Sequence, residues 1–183
     1  MRMGTGRRFF AFIRAINIGK RRMTNDELVR PFVRLGFDDV AAYQAAGNIT
    51  FCTTDPDRAI TERVLPALAD AYGFDPVIFV RRLDAVRSLV DARPFTDQQL
   101  ARTDGRVQVS FLQEVPSEEK VAEVFAVVPP DDLIAFVGRQ WFWLPRAGIS
   151  ESRLPVGSVE SVLGPTTIRT LGTISRMLDR FAG

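Results

Sequence analysis

The segment of residues 17–22 combines a glycine and three cationic side chains just before a predicted helix. Its sequence is Asn17-Ile18-Gly19-Lys20-Arg21-Arg22, and Thr24 with Glu27 three residues later forms a capping box that begins the helix. A helix N-terminus carries unpaired N–H groups and a partial positive charge, so this pattern favours a bound phosphate or other anion. The alternative is a solvated basic turn whose helix end is neutralised by Asp26 and Glu27. The segment does not match a Walker loop, because no glycine-rich run precedes a Lys-Ser or Lys-Thr pair.

Four further residues could bind an anion, each with a structural alternative. Arg14 interrupts an apolar strand and must therefore pair with a carboxylate, a backbone acceptor or a ligand. Asn48 could present its amide to a ligand, or it could serve a tight turn with Gly47. Arg169 and Thr173 are four residues apart on a predicted helix, so they should share one surface, either in a polar pocket or as helix caps. The complete anion-binding set is Arg14, Asn17, Gly19, Lys20, Arg21, Arg22, Asn48, Arg169 and Thr173.

The composition limits other kinds of chemistry. The sequence has no histidine, which excludes Ser-His-Asp and Cys-His catalysis and metal binding by imidazole. Cys52 is the single cysteine, so it can form neither an intrachain disulfide nor a thiolate zinc site, and we expect it to be buried. The adjacent carboxylates of Asp38-Asp39, Glu118-Glu119 and Asp131-Asp132 point apart on a strand or helix, so each pair is interpreted as a solvated turn or helix start. We expect no metal and no cofactor, and no catalytic residue is identified.

Charge is unevenly distributed along the chain. Residues 1–22 contain seven basic side chains and no acidic one, whereas the whole chain carries 24 basic and 22 acidic residues. All but two of the bases are arginines, whose planar guanidinium suits phosphate and carboxylate better than lysine does. An anionic small molecule or nucleic acid is therefore the expected partner. The Trp141-Phe142-Trp143 run could stack a nucleobase or form a homodimer contact, although a buried core position explains it as well.

The predicted elements place these residues in two similar modules. The first contains a strand at 9–18, a helix at 24–35, a hairpin of strands at 40–46 and 49–53, a helix at 55–73 and a strand at 77–80. This is the element order of the split βαβ, or ferredoxin-like, fold. Pro31 and Pro66 lie inside the two helices and are expected to kink or shorten them.

The second module repeats this order after a connecting segment. The connecting segment is predicted to be a helix at 83–92 and a linker at 94–105. The module then begins with a strand at 107–112 and a helix at 117–127 capped by Ser117. A hairpin of strands at 133–137 and 141–144 follows, then a helix beginning near Ser150 or Ser158 and an amphipathic helix at 166–181. The predicted fold is α+β, with two ferredoxin-like (split βαβ) modules, antiparallel sheets and a C-terminal helix. The predicted domains are residues 1–82, a helix and linker at 83–105, and a second module with the C-terminal helix at 106–183.

Three stretches together resemble a known family. They are RAINIG at residues 14–19, YQAAGNITF at 43–51 and TIRTLGTI at 167–174, with SESRL at 150–154 before the last helices. In order and spacing they are similar to the bacterial domain-of-unknown-function 1697 family over nearly the whole chain. The resemblance implies an α+β protein with ferredoxin-like elements and no established activity. This chain departs from the family pattern at Ala15, where glycine is usual, and at Thr170 and Gly172, where asparagine is usual, so any ligand contact made by those asparagines would be weakened here.

These observations lead to an expected cellular location and to three hypotheses for the function. No apolar run reaches the roughly 18 residues of a membrane span, no signal peptide is expected, and the single cysteine fits a reducing compartment, so we expect a cytoplasmic protein with no membrane partner. The leading hypothesis is a module that binds a phosphate-bearing or other anionic ligand. The alternatives are an enzyme acting on a small phosphorylated or carboxylated metabolite, with Arg14, Lys20 and Arg169 as binding groups, and a homodimeric interaction protein.

Overall fold

The computed structural model describes residues 6–14, 23–103 and 106–182. The chain divides into two units, one of Met1–Arg87 with Met177–Gly183 and one of Ser88–Arg176, called unit 1 and unit 2 below. Each unit contains one four-stranded antiparallel sheet with helices. The protein is therefore α+β with two ferredoxin-like modules, which confirms the predicted fold class. No helix in the described ranges is long and apolar enough to span a bilayer.

Unit 1 has the element order of the split βαβ fold. It contains β1 (Arg7–Ile13), α1 (Asn25–Arg34), β2 (Asp38–Tyr43), β3 (Asn48–Thr53), α2 (Asp57–Tyr72) and β4 (Ile78–Arg82), and α3 (Leu83–Asp91) follows. The sheet order is β2-β3-β1-β4, with every neighbouring pair antiparallel. The first strand is shorter than predicted, because β1 ends at Ile13, and the remainder of the predicted strand from residue 15 lies outside the described residues.

An aromatic cluster between the sheet and the two helices forms the core of unit 1. Side chains alternate across a strand, so β1 presents Phe9 to α1 and α2. The Phe9 ring stacks on Phe51 of β3 at 5.8 Å between centroids, and Phe51 stacks on Phe37 at 4.8 Å. Phe32 of α1 completes the cluster against Phe51 at 5.2 Å. This packing fixes α1 against the sheet.

The two internal prolines do not shorten their helices, which was one of the two effects expected of them. The helix α1 continues past Pro31 to Arg34, and α2 runs through Pro66 over 16 residues. An interior proline costs about 3 kcal/mol, chiefly through the lost hydrogen bond and ring clash. Both helices bury an apolar stripe that offsets this cost, because tertiary packing of an amphipathic face supplies most helix stability. In α1 that stripe includes Leu28 and Phe32, both fully buried.

Unit 2 repeats the topology of unit 1. It contains α4 (Asp97–Ala101), β5 (Gln108–Phe111), α5 (Glu118–Ala126), β6 (Leu133–Val137), β7 (Gln140–Leu144), α6 (Val156–Leu163) and β8 (Thr167–Thr170), and α7 (Leu171–Phe181) follows. The sheet order β6-β7-β5-β8 corresponds strand for strand to that of unit 1. The expected linker at 94–105 contains α4, which begins at a second capping box formed by Thr96 and Gln99.

The predicted helix at 166–181 is wrong over its first residues. Residues 167–170 form β8, which pairs antiparallel with β5, and only α7 is helical. The apolar spacing is compatible with one helix because Ile168 precedes Leu171 and Ile174 at intervals of three. The backbone N–H and C=O groups of β8 form hydrogen bonds with β5 instead, and the local sequence pattern does not indicate that pairing.

The two tryptophans of β7 belong to the core of unit 2. Trp141 and Trp143 lie on one face of the strand, 0% and 1% exposed, and their rings stack at 6.3 Å. Val124 of α5 and Val159 of α6 are buried in the same cluster. The core interpretation of these tryptophans is therefore confirmed. Their rings offer no surface to a nucleobase or to a second copy of the chain.

Candidate anion-binding site

Four of the nine sequence-predicted anion-binding residues lie in the described part of the chain, two in each unit. Asn17, Gly19, Lys20, Arg21 and Arg22 lie outside the described residues. Arg14 and Asn48 lie at the same end of the unit 1 sheet, since Arg14 follows β1 directly and Asn48 opens β3. Arg169 and Thr173 belong to unit 2.

Asn48 holds the hairpin turn between β2 and β3. Its side chain is fully buried, and its Nδ2 donates to the Tyr43 carbonyl at 3.2 Å. The turn comprises residues 44–47 rather than the predicted Gly47-Asn48 pair, and φ is positive at Gln44 (62°), Ala45 (41°) and Gly47 (71°). Asn48 is thus the first strand residue, and its amide stabilises a turn of unusual backbone geometry.

The N-terminus of α1 already carries a carboxylate. Glu27 accepts hydrogen bonds from the Thr24 amide at 2.8 Å and from the Thr24 hydroxyl at 2.9 Å, while the Glu27 amide donates to Thr24 Oγ1 at 3.2 Å. These bonds from Thr24 lower the pKa of Glu27. The predicted capping box is confirmed. An external anion at this helix end would have to compete with the Glu27 carboxylate.

Arg169 lies on a strand rather than on the predicted helix. In β8 it is paired with Val109 of β5, on the opposite face from Ile168 and Thr170. Its Nη1 donates to Thr167 Oγ1 at 2.8 Å and to the Ile168 carbonyl at 2.7 Å. Burial lowers the pKa of Arg169 to about 10, so the guanidinium stays charged at neutral pH. The expectation that Arg169 shares a helix face with Thr173 is wrong, because the strand ends between them.

An equivalent arginine occupies the last strand of unit 1. Arg81 of β4 is 4% exposed and pairs with Phe10 of β1, as Arg169 of β8 pairs with Val109 of β5. The Arg81 Nη1 donates to the carbonyl of the preceding residue at 3.0 Å, the same contact that Arg169 makes. Each arginine precedes the first residue of a helix, Leu83 or Leu171, by two positions. Sequence reasoning missed Arg81 because the strand was predicted to end at Val80.

A cavity of about 460 Å³ lies at the N-terminus of α7. Thr170 caps this helix, since its Oγ1 accepts from the Thr173 amide at 3.1 Å and lies 2.8 Å from the Thr173 hydroxyl. The Leu171 amide donates to the Val107 carbonyl at 2.8 Å, which fixes the helix end against the residue before β5. The cavity is lined by Arg106, Val107, Thr170, Leu171, Gly172, Ser175 and Arg176.

The lining of this cavity, called the α7 cavity below, is cationic. Among the described residues, the lining includes Arg106 and Arg176 and no acidic side chain. Within residues 6–14, 23–103 and 106–182, no salt bridge joins either arginine to a carboxylate. Arg176 Nη2 makes only a long contact of 3.4 Å to Thr173 Oγ1. The partial positive charge of the α7 N-terminus adds to both guanidinium groups, so the site favours an anion.

Asp132 is a buried carboxylate that sequence reasoning assigned to a solvated turn. It is 6% exposed and accepts from Trp143 Nε1 at 2.9 Å, from the Arg146 amide at 3.1 Å, and from the Ser152 hydroxyl. The solvated interpretation is therefore wrong for Asp132, although its neighbour Asp131 is exposed. The three donors give both carboxylate oxygens a hydrogen-bond partner, so Asp132 holds the segment after β7 in place.

The remaining acidic and thiol groups form no metal site in the described part of the chain. No group of three His, Cys, Asp or Glu side chains there is arranged to hold an ion. Cys52 is buried, as predicted, and burial raises the pKa of its thiol. The thiol is therefore in its neutral, unreactive form at neutral pH.

Comparison with known proteins places the chain in a family. The family model described as "Protein of unknown function (DUF1697)" matches residues 7–142. The chain belongs to this family. Among solved structures, the conserved bacterial protein SP0830 from Streptococcus pneumoniae is similar, with a TM-score of 0.71, 20% sequence identity, and coverage of 94% of this chain and 97% of that chain. At this identity the DUF1697 chain shares the fold of SP0830. No curated protein matches the sequence.

Two of the three positions that were expected to differ from the family pattern, Thr170 and Gly172, lie at the α7 cavity. Thr170 caps the helix and Gly172 forms part of the cavity wall. The third, Ala15, lies outside the described residues. At the cationic cavity, Thr170 supplies a hydroxyl and Gly172 has no side chain that would occupy the space.

Proposed function

We propose that this protein binds a small phosphate-bearing or other anionic ligand in the α7 cavity. The observation that carries the proposal is the convergence of Arg106, Arg176 and the N-terminus of α7 on one cavity, whose described lining residues include no acid. Phosphate and carboxylate oxygens accept hydrogen bonds from guanidinium forks in a bidentate geometry.

The surroundings of the cavity support an anion over a neutral ligand. Two unit charges and a helix dipole act together, and in described residues no carboxylate neutralises the two arginines. The hydroxyl of Thr170 stands at the same wall and can supply a further donor, whereas the Ser175 hydroxyl already donates to the Leu171 carbonyl at 3.1 Å. Arg169 lies on the other face of β8 from Thr170, so it is not among the groups proposed to contact the ligand.

The test is titration of the protein with inorganic phosphate and pyrophosphate by calorimetry, at low and at moderate salt. We expect binding that weakens as salt increases, because the pair of arginines is partly exposed to solvent. The Arg176→Gln and Arg106→Gln variants should each weaken binding about tenfold, corresponding to 1.4 kcal/mol.

Arg58→Gln is the matched control, because it removes the same charge from a side chain that is 92% exposed in unit 1. It should bind phosphate as the wild type does. The proposal is overturned if neither anion binds the wild type, or if all three variants bind with the same affinity.

A further inference from the structure

A second cavity adjoins the α7 cavity within unit 2. Its volume is about 330 Å³, and three of its lining residues, Val107, Leu171 and Ser175, also line the α7 cavity. The two spaces therefore share one wall. A ligand that reaches past these shared residues would contact both cavities.

The second cavity differs from the first in chemistry. Its own lining is largely apolar and comes from the end of α3, the following turn and α4, with Val90, Pro94, Phe95 and Leu100 as the apolar members. Leu100 is 38% exposed, so part of its side chain is available to a ligand in this cavity. Burying such apolar surface against a ligand is favourable, at about 25 cal/mol for each Å² removed from water.

The backbone at the edge of this cavity is strained. Arg93 has a φ of 38° although it is not glycine, and it precedes Pro94, which restricts it further. The side chain of Arg93 lines the same cavity, together with Asp97. Strain of this kind persists only where the surrounding structure imposes it, and it is concentrated at ligand sites.

We infer that the ligand of this site is an organic anion whose phosphate or carboxylate is joined to an aromatic or branched apolar group. The anionic end lies at Arg106, Arg176 and the α7 N-terminus, and the apolar group lies across Leu171 against Phe95 and Leu100. This inference rests on the proposed anion site, to which it adds the chemical class of the ligand. The adjoining cationic and apolar cavities match the two ends of such a molecule.

The test compares three probes of similar charge by calorimetry: inorganic phosphate, glycerol phosphate and phenyl phosphate. Phenyl phosphate should bind the wild type about tenfold more tightly than glycerol phosphate, because only the phenyl group buries apolar surface. Leu100→Gln should remove most of that difference and leave phosphate affinity unchanged. Glutamine is a good helix former, so α4 is retained. Val33→Gln, at a valine that is 56% exposed on α1, is the control and should change no affinity.

The outcomes separate the inference from the proposed function. If inorganic phosphate binds and requires Arg176, but phenyl phosphate gains nothing over glycerol phosphate, the ligand class is wrong and the anion site stands. If phenyl phosphate binds equally well to the wild type and to Leu100→Gln, the apolar cavity is not its site. If Arg176→Gln leaves the binding of all three probes unchanged, both the inference and the proposed function fail.

Discussion

The indole N–H of Trp143 donates a hydrogen bond to the carboxylate of Asp132 over 2.9 Å, and both side chains are buried. Asp132 directly precedes β6, whereas Trp143 lies in the neighbouring strand β7. The same carboxylate accepts from the Ser152 hydroxyl, which in turn accepts from the Leu154 amide at 3.0 Å. One carboxylate thus joins the β6–β7 hairpin to the segment that leads into α6.

Replacing this carboxylate should destabilise unit 2. In Asp132→Asn an N–H₂ group replaces one carboxylate oxygen, so a hydrogen-bond donor that faced that oxygen loses its acceptor. Leaving a buried donor unpaired costs about 1–3 kcal/mol. We expect a loss of about 2 kcal/mol in urea unfolding followed by tryptophan fluorescence. The control is Asp131→Asn, because Asp131 and its partner Arg146 are 66% and 65% exposed and such pairs contribute about 0–1 kcal/mol. Equal unfolding midpoints for the two variants would contradict the structural role of Asp132.

The burial of Asp132 shows what sequence patterns miss. Its donors come from Trp143, Arg146 and Ser152, and nothing in the adjacent pair Asp131-Asp132 reports them. The strand β8 was mistaken for helix for the same reason, since its partner β5 is distant in sequence. Local signals served well where local contacts decide: the capping box of α1 and the Ser117 cap of α5 were predicted correctly.

The residues of the candidate site show the same limit of sequence patterns. Sequence reasoning selected Arg169 and Thr173, neither of which is among the residues that line the α7 cavity. It did not select Arg106 and Arg176, which are among them. Their proximity depends on the pairing of β5 with β8, which brings Val107 beside Leu171. No spacing rule connects residues so far apart in the chain, so a cavity between them is visible only in the folded structure.

A buried hydroxyl in unit 2 should be dispensable. Ser110 of β5 and Trp141 of β7 are cross-strand neighbours, and in the described structure Ser110 Oγ and Trp141 Nε1 are buried without a hydrogen-bond partner. Because an unsatisfied buried polar atom is costly, Ser110→Ala should raise the free energy of unfolding by about 1 kcal/mol.

Thr50 provides the contrasting variant. Its Oγ1 donates to the Phe9 carbonyl at 3.1 Å and accepts from Arg8 at 3.2 Å, so the isosteric Thr50→Val should lower stability by about 1 kcal/mol. The stability of both variants relative to the wild type is measured by thermal unfolding. A loss of stability in Ser110→Ala as large as that in Thr50→Val would mean that the serine hydroxyl is satisfied after all.

Tyr72 should make the protein sensitive to alkaline pH. Its hydroxyl donates to the Leu28 carbonyl at 3.1 Å, linking α2 to α1, and burial raises its pKa well above the usual value, with a smaller contribution from the Glu27 charge. A tyrosine in the unfolded chain ionises near pH 10, while the folded state keeps its proton to higher pH. The folded state then binds more protons, so stability falls as pH rises above about 10.

The Tyr72→Phe variant separates the hydrogen bond from the ionisation. At pH 7 it should lose about 1 kcal/mol for the missing bond. Between pH 9 and 11 its stability should fall less steeply than that of the wild type, because the titrating group is gone. The measurement is urea unfolding at several pH values. Parallel curves for the two proteins over this range would show that Tyr72 does not titrate differently in the folded state.

The Gly172→Ala variant should raise the free energy of unfolding and lower the affinity of the α7 cavity for phosphate. It lies in the first turn of α7, and an added Cβ would meet Arg176 Nη1 at 3.4 Å, an ordinary contact with the flexible end of a side chain. Gly172→Ala should therefore stabilise the helix by about 0.5–1 kcal/mol. The same methyl group enters the cavity wall beside Arg176, so phosphate affinity should fall several-fold.

Gly157→Ala is the matched control for that variant. Gly157 is also helical, in α6, and an added Cβ there would meet nothing within 4 Å. It should gain a similar amount of stability, measured by thermal unfolding, with unchanged phosphate affinity. If both glycine variants gain stability and both bind phosphate as tightly as the wild type, the anion does not approach the first turn of α7. If only Gly172→Ala loses affinity, the absence of a side chain at residue 172 is needed for space at the cavity wall.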